Sequence, residues 1–153
     1  MNDYPFVPEG FAVPGGLIAG EFRLEPLGPE HNDADYAAWT SSMEHIRATP
    51  GYAGRDWPHE MSLQENLGDL ERHAEDFAGR RGFTYTVLSA GTSEVIGCVY
   101  IYPPRNPDPA HDVHVSSWVR ADQTDLDPVL YAVVSAWLER DWPFTSVSYA
   151  PRT

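Results

Sequence analysis

The sequence predicts an α+β domain, with a mixed, mostly antiparallel central sheet flanked by about three helices. Three features point there. The apolar spacing switches between period two and period 3.6 along the chain. Two strand-like runs at 83–88 and 94–102 are separated only by a short glycine-containing turn, a connection that only antiparallel neighbours can use. A helical segment then divides the last two strand-like runs, which permits a parallel pairing at that end of the sheet.

The chain has 153 residues, 42% hydrophobic and 12% aromatic, enough for one domain with a substantial core. Domain organisation is read as 1–153, with 1–21 forming an extended arm. Pro5, Pro8, Pro14 and the Gly15-Gly16 pair mark it as extended. Its Phe6, Val7, Phe11 and Val13 call for cover, either from the domain itself or from a second copy in a homodimer. Residues 22–27 alternate apolar and charged side chains and predict a first strand, ended by Gly28-Pro29. From about Asp33, Tyr36, Trp39, Met43 and Ile46 recur at helical spacing and predict one helix stopping before Pro50-Gly51. Residues 52–61 read as a loop.

Ser62 and Glu65 form a capping-box pattern for a second helix, whose Leu63, Leu67, Leu70, Ala74 and Phe77 share a face. The hairpin at 83–102 follows. A turn rich in proline (Pro103, Pro104, Pro107, Pro109) leads to a fourth strand over 111–120. Asp127 as cap and Pro128 at the first helical position predict a third helix to about Arg140, stopped by Pro143, and 145–149 predict a fifth strand.

Ten basic against 23 acidic residues give a net charge of −13, which repels nucleic acid and anionic membrane surfaces and suits a cationic partner such as an amine. No apolar run is long enough to span a bilayer, and no basic leader precedes one, so a cytoplasmic location is expected. The lone Cys98 sits in a strand pattern and reads as a small buried hydrophobe.

Strand, two helices, three strands, helix, strand over residues 22–150 resembles the core of the GNAT superfamily of N-acetyltransferases. In that family the fourth strand runs into a glycine-rich turn whose N–H groups, with the next helix N-terminus, hold the pyrophosphate of acetyl-coenzyme A. The resemblance assigns Trp118, Val119 and Arg120 to the cofactor end of the strand. It puts Asp125 and Asp127 where the family has glycines, and Val129 where it has a small residue. A carboxylate about 5 Å from a phosphate costs roughly 1 kcal/mol at water-like screening and about 3 at an effective dielectric near 20. The family's core also continues past the fifth strand, so an open sheet edge is expected here, covered by the arm or by a partner. The resemblance implies acetyl transfer from acetyl-coenzyme A to a small amine. The aspartates support the alternative, a binding or assembly protein that keeps the fold and uses no cofactor.

Two clusters are candidate chemistry for such a transfer, which needs a base and an oxyanion donor. Glu44 and His45, with Ser42 and Arg47, bunch at the end of the first helix ahead of a loop carrying Trp57, His59 and Glu60. On the fourth strand, period two puts Asp112, His114, Ser116 and Trp118 on one face, beside Tyr100 and Tyr102. These residues either line a cavity or form a wet end of the sheet. No Ser-His-Asp triad is expected, because alternate strand residues point in parallel. His111 and His114, placed on opposite faces of that strand, exclude a metal pair.

Overall fold

The computed structural model describes residues 5–106 and 108–152. The expectations for residues 1–4, Pro107 and Thr153 therefore lie outside the described residues. Six strands form one sheet in chain order: β1 (Leu17–Ala19), β2 (Phe22–Pro26), β3 (Phe83–Ser89), β4 (Val95–Tyr102), β5 (Val113–Val119) and β6 (Val147–Tyr149). The first five pair antiparallel, and β6 lies parallel to β5. The helices are α1 (Asn32–Thr40), α2 (Met43–Arg47), α3 (Leu63–Ala78) and α4 (Leu126–Asp141).

The sheet is covered on both faces, which explains why β3 and β4 are almost continuously buried. On one face α4 sets Leu130, Val134, Trp137 and Leu138 against Tyr85, Val99 and Val115. Tyr85 and Trp137 meet edge to face at 5.1 Å. The arm joins this layer: Val7 is buried, Phe6 stacks on Phe83 at 5.9 Å, and the Tyr85 hydroxyl donates to the Pro14 carbonyl at 2.6 Å. The arm thus packs on its own domain and supplies edge strand β1, next to β2 at the far side of the sheet from β6. On the other face α1, α2 and α3 cover a second core built around Trp39, Ile46, Leu70, Cys98 and Trp118. Among the described residues no helix is long and apolar enough to cross a membrane.

Four expectations need correction. The single helix over residues 33–46 is two, because the Thr40 and Ser41 hydroxyls bond back to the carbonyls of Tyr36 (2.6 Å) and Ala38 (2.9 Å) and end the first run. Helix α4 starts at Leu126 rather than Pro128, and Asp127 is no cap, because its carboxylate turns to Arg152 at 2.8 Å. Strand β5 starts at Val113, not at His111. Asp112 accepts from the backbone N–H of Thr145 (2.9 Å) and Ser146 (3.1 Å), which draws its end of the segment into a turn. In α3 the capping box forms as expected, but Leu63 is exposed and the inward face carries Asn66, Leu70 and His73.

Candidate functional site

A cleft of about 1040 Å³ opens on the α3 side of the sheet, between α3, residues 51–57 and the ends of β4, β5 and β6. Its base is aromatic. Trp57, brought in by the loop, lies 6.4 Å from Tyr100 and 6.2 Å from Trp118 and Tyr52. Trp118 is fully buried and donates through Nε1 to the Tyr100 hydroxyl at 3.0 Å, so the period-two pattern of β4 and β5 delivers polar ends to one place. Tyr52 is buried with its hydroxyl near Ser116, and among the described residues it makes no hydrogen bond of good geometry.

The rim and walls are acidic. Asp35, Asp56, Asp69, Asp76 and Asp108 line the cleft against Arg55, Arg72 and Arg105, and Arg72 is itself paired with Asp69. Asp35 is almost wholly buried, accepting from the Asn66 side-chain amide at 3.1 Å, and burial raises its pKa from 3.8 to about 6. Across the cleft the Tyr102 hydroxyl donates to Asp76 at 2.9 Å, and His73 Nδ1 sits 2.9 Å from that hydroxyl and 3.1 Å from Thr84 Oγ1. With the Tyr102 proton committed to Asp76, Nδ1–H donates to the tyrosine oxygen, which leaves Nε2 as the basic nitrogen. Burial lowers the His73 pKa, so the ring is neutral and able to take a proton at neutral pH.

Of the residues expected from sequence, Trp57, Tyr100, Tyr102, His114 and Ser116 do line this cleft. Glu44 is exposed at the surface, and the half-buried His45 lies outside the cleft lining. Asp112 holds the turn before β6 instead of facing the cavity. Sequence reasoning missed His73, Asp76 and Asp35. Helical spacing from Asn66 through Leu70 to His73 and Phe77 was the available signal, once the polar members of that stripe are counted with the apolar ones. The premise that excluded a metal pair also changes. His111 precedes β5, so strand alternation does not separate it from His114. Nδ1 of His111 and Nε2 of His114 both sit 2.8 Å from Asp108 Oδ2, and these bonds, His114 first, lower the Asp108 pKa to about 2.

The turn between β5 and α4 is where an acyl-coenzyme A pyrophosphate would need free donors, and the residues present do not fit it. Arg120 spends its fork on Asp122 (2.9 and 2.7 Å) and donates to the Val95 carbonyl at 3.2 Å. Ala121 N–H donates to Ser42 Oγ at 2.8 Å, Gln123 N–H to the Arg120 carbonyl at 2.9 Å, and Asp127 N–H to the Thr124 carbonyl at 3.1 Å. Trp118 and Val119 are buried in the two cores. No glycine follows Gly97 in the sequence. Strands β5 and β6 pair only from Val113 to Val115, and beyond that point Arg152 fills the gap. Its guanidinium donates to the Ser117 carbonyl at 2.7 Å and to Asp127 at 2.8 Å.

No family model matches the chain, and no curated protein is significantly similar to it in sequence. Solved structures match its fold. A ribosomal-protein-S5-alanine acetyltransferase from Vibrio fischeri superposes with a TM-score of 0.60 at 12% identity, over 80% of this chain and 66% of that one. RimL, a ribosomal L7/L12 alpha-N-protein acetyltransferase, gives 0.60 at 11% over 88% and 70%. The microcin C7 self-immunity acetyltransferase MccE, solved with acetyl-CoA and AMP, gives 0.60 at 11% over 83% and 66%. The chain thus spans about two thirds of the length of such structures. At this identity the likeness establishes the fold, that of the GNAT acyltransferases.

Proposed function

On this GNAT fold, we propose that the chain binds a small cationic amine in the acidic, aromatic cleft, and that it does so as a binding protein without acetyl-coenzyme A. One observation carries the reading: five aspartates outnumber three arginines around an aromatic base, while at the turn that would hold a pyrophosphate Arg120 and the N–H groups of Ala121, Gln123 and Asp127 are engaged and Arg152 lies in the adjoining gap. An ammonium group gains from the aromatic faces and from an unpaired buried carboxylate together. Asp35 supplies that carboxylate.

The pH dependence follows from Asp35. Below about 6 its carboxyl is neutral and attracts a cation weakly; above it the ionised form pairs with the ammonium. Calorimetric titration with 2-phenylethylamine and its neutral counterpart 2-phenylethanol tests this. The amine should bind with Kd below about 1 mM, the alcohol at least about tenfold more weakly, and amine affinity should rise from pH 5 to pH 7. Equal affinity for amine and alcohol, or a pH-independent response, would sink the reading.

Acetyl transfer to the bound amine is the second reading, favoured by the neutral His73 in the cleft wall. There His73 Nε2 would take the proton of the amine, with Tyr102 and Asp76 holding the ring in that tautomer. The acetyltransferases that share the fold support it as well.

A further inference from the structure

We propose that Asp108, His111 and His114 form a binding site for a divalent cation of the zinc class at the rim of the cleft. The inference is independent of what the cleft binds. The three donor atoms, one carboxylate oxygen and two imidazole nitrogens, lie within 4.8 Å of one another. An ion with bonds of about 2.0–2.1 Å needs its ligand atoms roughly 3.3 Å apart. Each imidazole nitrogen is 2.8 Å from the carboxylate oxygen, so both move outward by about half an ångström to admit the ion between the three donors. Small side-chain rotations complete the set.

The support around these donors is that of a built site. The other carboxylate oxygen, Asp108 Oδ1, accepts from the Ala110 N–H at 3.1 Å, which orients the group and leaves Oδ2 for the ion. The Ala110 carbonyl is in turn held by the Ser146 hydroxyl, and Asp112 clamps the same turn to Thr145 and Ser146. The ligands follow one another at intervals of three residues, so the loop to be ordered is short. Two imidazoles with one carboxylate select zinc, cobalt or nickel over the oxygen-seeking magnesium and calcium. All three side chains are partly exposed, Asp108 and His114 line the cleft, and the remaining coordination positions open to water or to a cleft ligand. Ion binding requires Nδ1 of His111 and Nε2 of His114 to present lone pairs to the metal in place of their hydrogen bonds to Asp108.

The test is calorimetric titration of the untagged, chelator-treated full chain with Zn²⁺, with Co²⁺ as a visible-absorption probe and Mg²⁺ as the hard-cation control. The expected result is one equivalent of Zn²⁺ bound with Kd at or below about 10 μM, a Co²⁺ d–d band of a low-coordinate site, and no competition from millimolar Mg²⁺. His114→Ala and Asp108→Asn should each weaken binding at least about tenfold while circular dichroism stays native. Absence of saturable Zn²⁺ binding, or a Kd unchanged in a folded His111→Ala/His114→Ala double variant, would overturn the site.

Discussion

Asp35 has a buried carboxyl that accepts a hydrogen bond from the Asn66 side-chain amide and pairs with no cation among the described residues. Asn66 ties it to Asn32 and Trp39, accepting from the Trp39 indole at 3.1 Å and donating to the Asn32 carbonyl oxygen at 2.9 Å. Its pKa rises on folding from 3.8 to about 6. The folded state therefore holds a proton that the unfolded state has lost between these values, and stability falls as pH rises through that window. A shift of that size corresponds to about 3 kcal/mol above pH 6, on the scale of 1.36 kcal/mol per unit. Asp35→Asn removes the charge and keeps an oxygen for Asn66. Urea unfolding of that variant should show a flatter stability profile between pH 4 and 6.5 than the parent, and a higher stability at pH 7. Parallel pH profiles for the two proteins would show that Asp35 stays ionised in the fold. Nothing in the sequence around Asp35 announces this state, because the burial comes from α3, about thirty residues away. By contrast, Tyr100, Tyr102, His114 and Ser116 were readable as one polar face, since strand alternation is a local property.

The best-anchored irregular element is the arm, and its anchor is a residue of unusual backbone conformation. Arg80 follows α3 with φ of 60°, a left-handed geometry that usually favours glycine. Its guanidinium returns that cost by donating to the carbonyls of Phe11 at 3.0 Å and Pro8 at 2.7 Å. Val7 is buried, and Phe6 and Phe11 each pack on the aromatic group that contains Trp142 and Phe144. Burying a side chain such as Val or Phe contributes about 1.5–3 kcal/mol. Deleting residues 1–15 should then lower stability by several kcal/mol, visible as a Tm drop of about 5 °C or more. An unchanged melting temperature would mean that the arm rests on the domain without supporting it. The apolar arm residues were legible as needing cover. That the cover is the domain's own sheet was not, because it depends on Trp142 and Phe144, which lie far along the chain. The same limit explains the split between α1 and α2: the Thr40-Ser41-Ser42 run is a visible helix-ending signal, but Ser42 is held in place by the Ala121 N–H, a contact of long range.

The sheet order was legible for the whole molecule because turn length decides which strands can pair, and short turns join β3 to β4 while a helix separates β5 from β6. What the order of elements could not reveal is how the gap beyond Val115 is filled. Read as replacements for glycine, Asp125 and Asp127 are expected to oppose a pyrophosphate alike. The structure separates them. Asp125 is exposed and caps nothing through its side chain, whereas Asp127 is mostly buried and pairs with an Arg152 side chain that is only 3% exposed. Removing one partner of a buried pair leaves the other charge unmatched and costs about 3–5 kcal/mol. Asp127→Gly alone should destabilise on that scale, while Asp125→Gly should stay within about 1 kcal/mol of the parent. The pair must be removed together to ask about a cofactor. In Asp127→Gly/Arg152→Ala the Ser117 carbonyl loses its donor, the gap between β5 and β6 empties, and a carboxylate leaves the helix start. The parent chain is expected to show no calorimetric response to acetyl-coenzyme A below about 1 mM, and the double variant a gain on the order of 1–3 kcal/mol if the fold still accepts the donor. Micromolar binding by the parent chain would instead mean that Arg152 yields to the ligand, and would make acetyl transfer to the amine in the cleft the leading function.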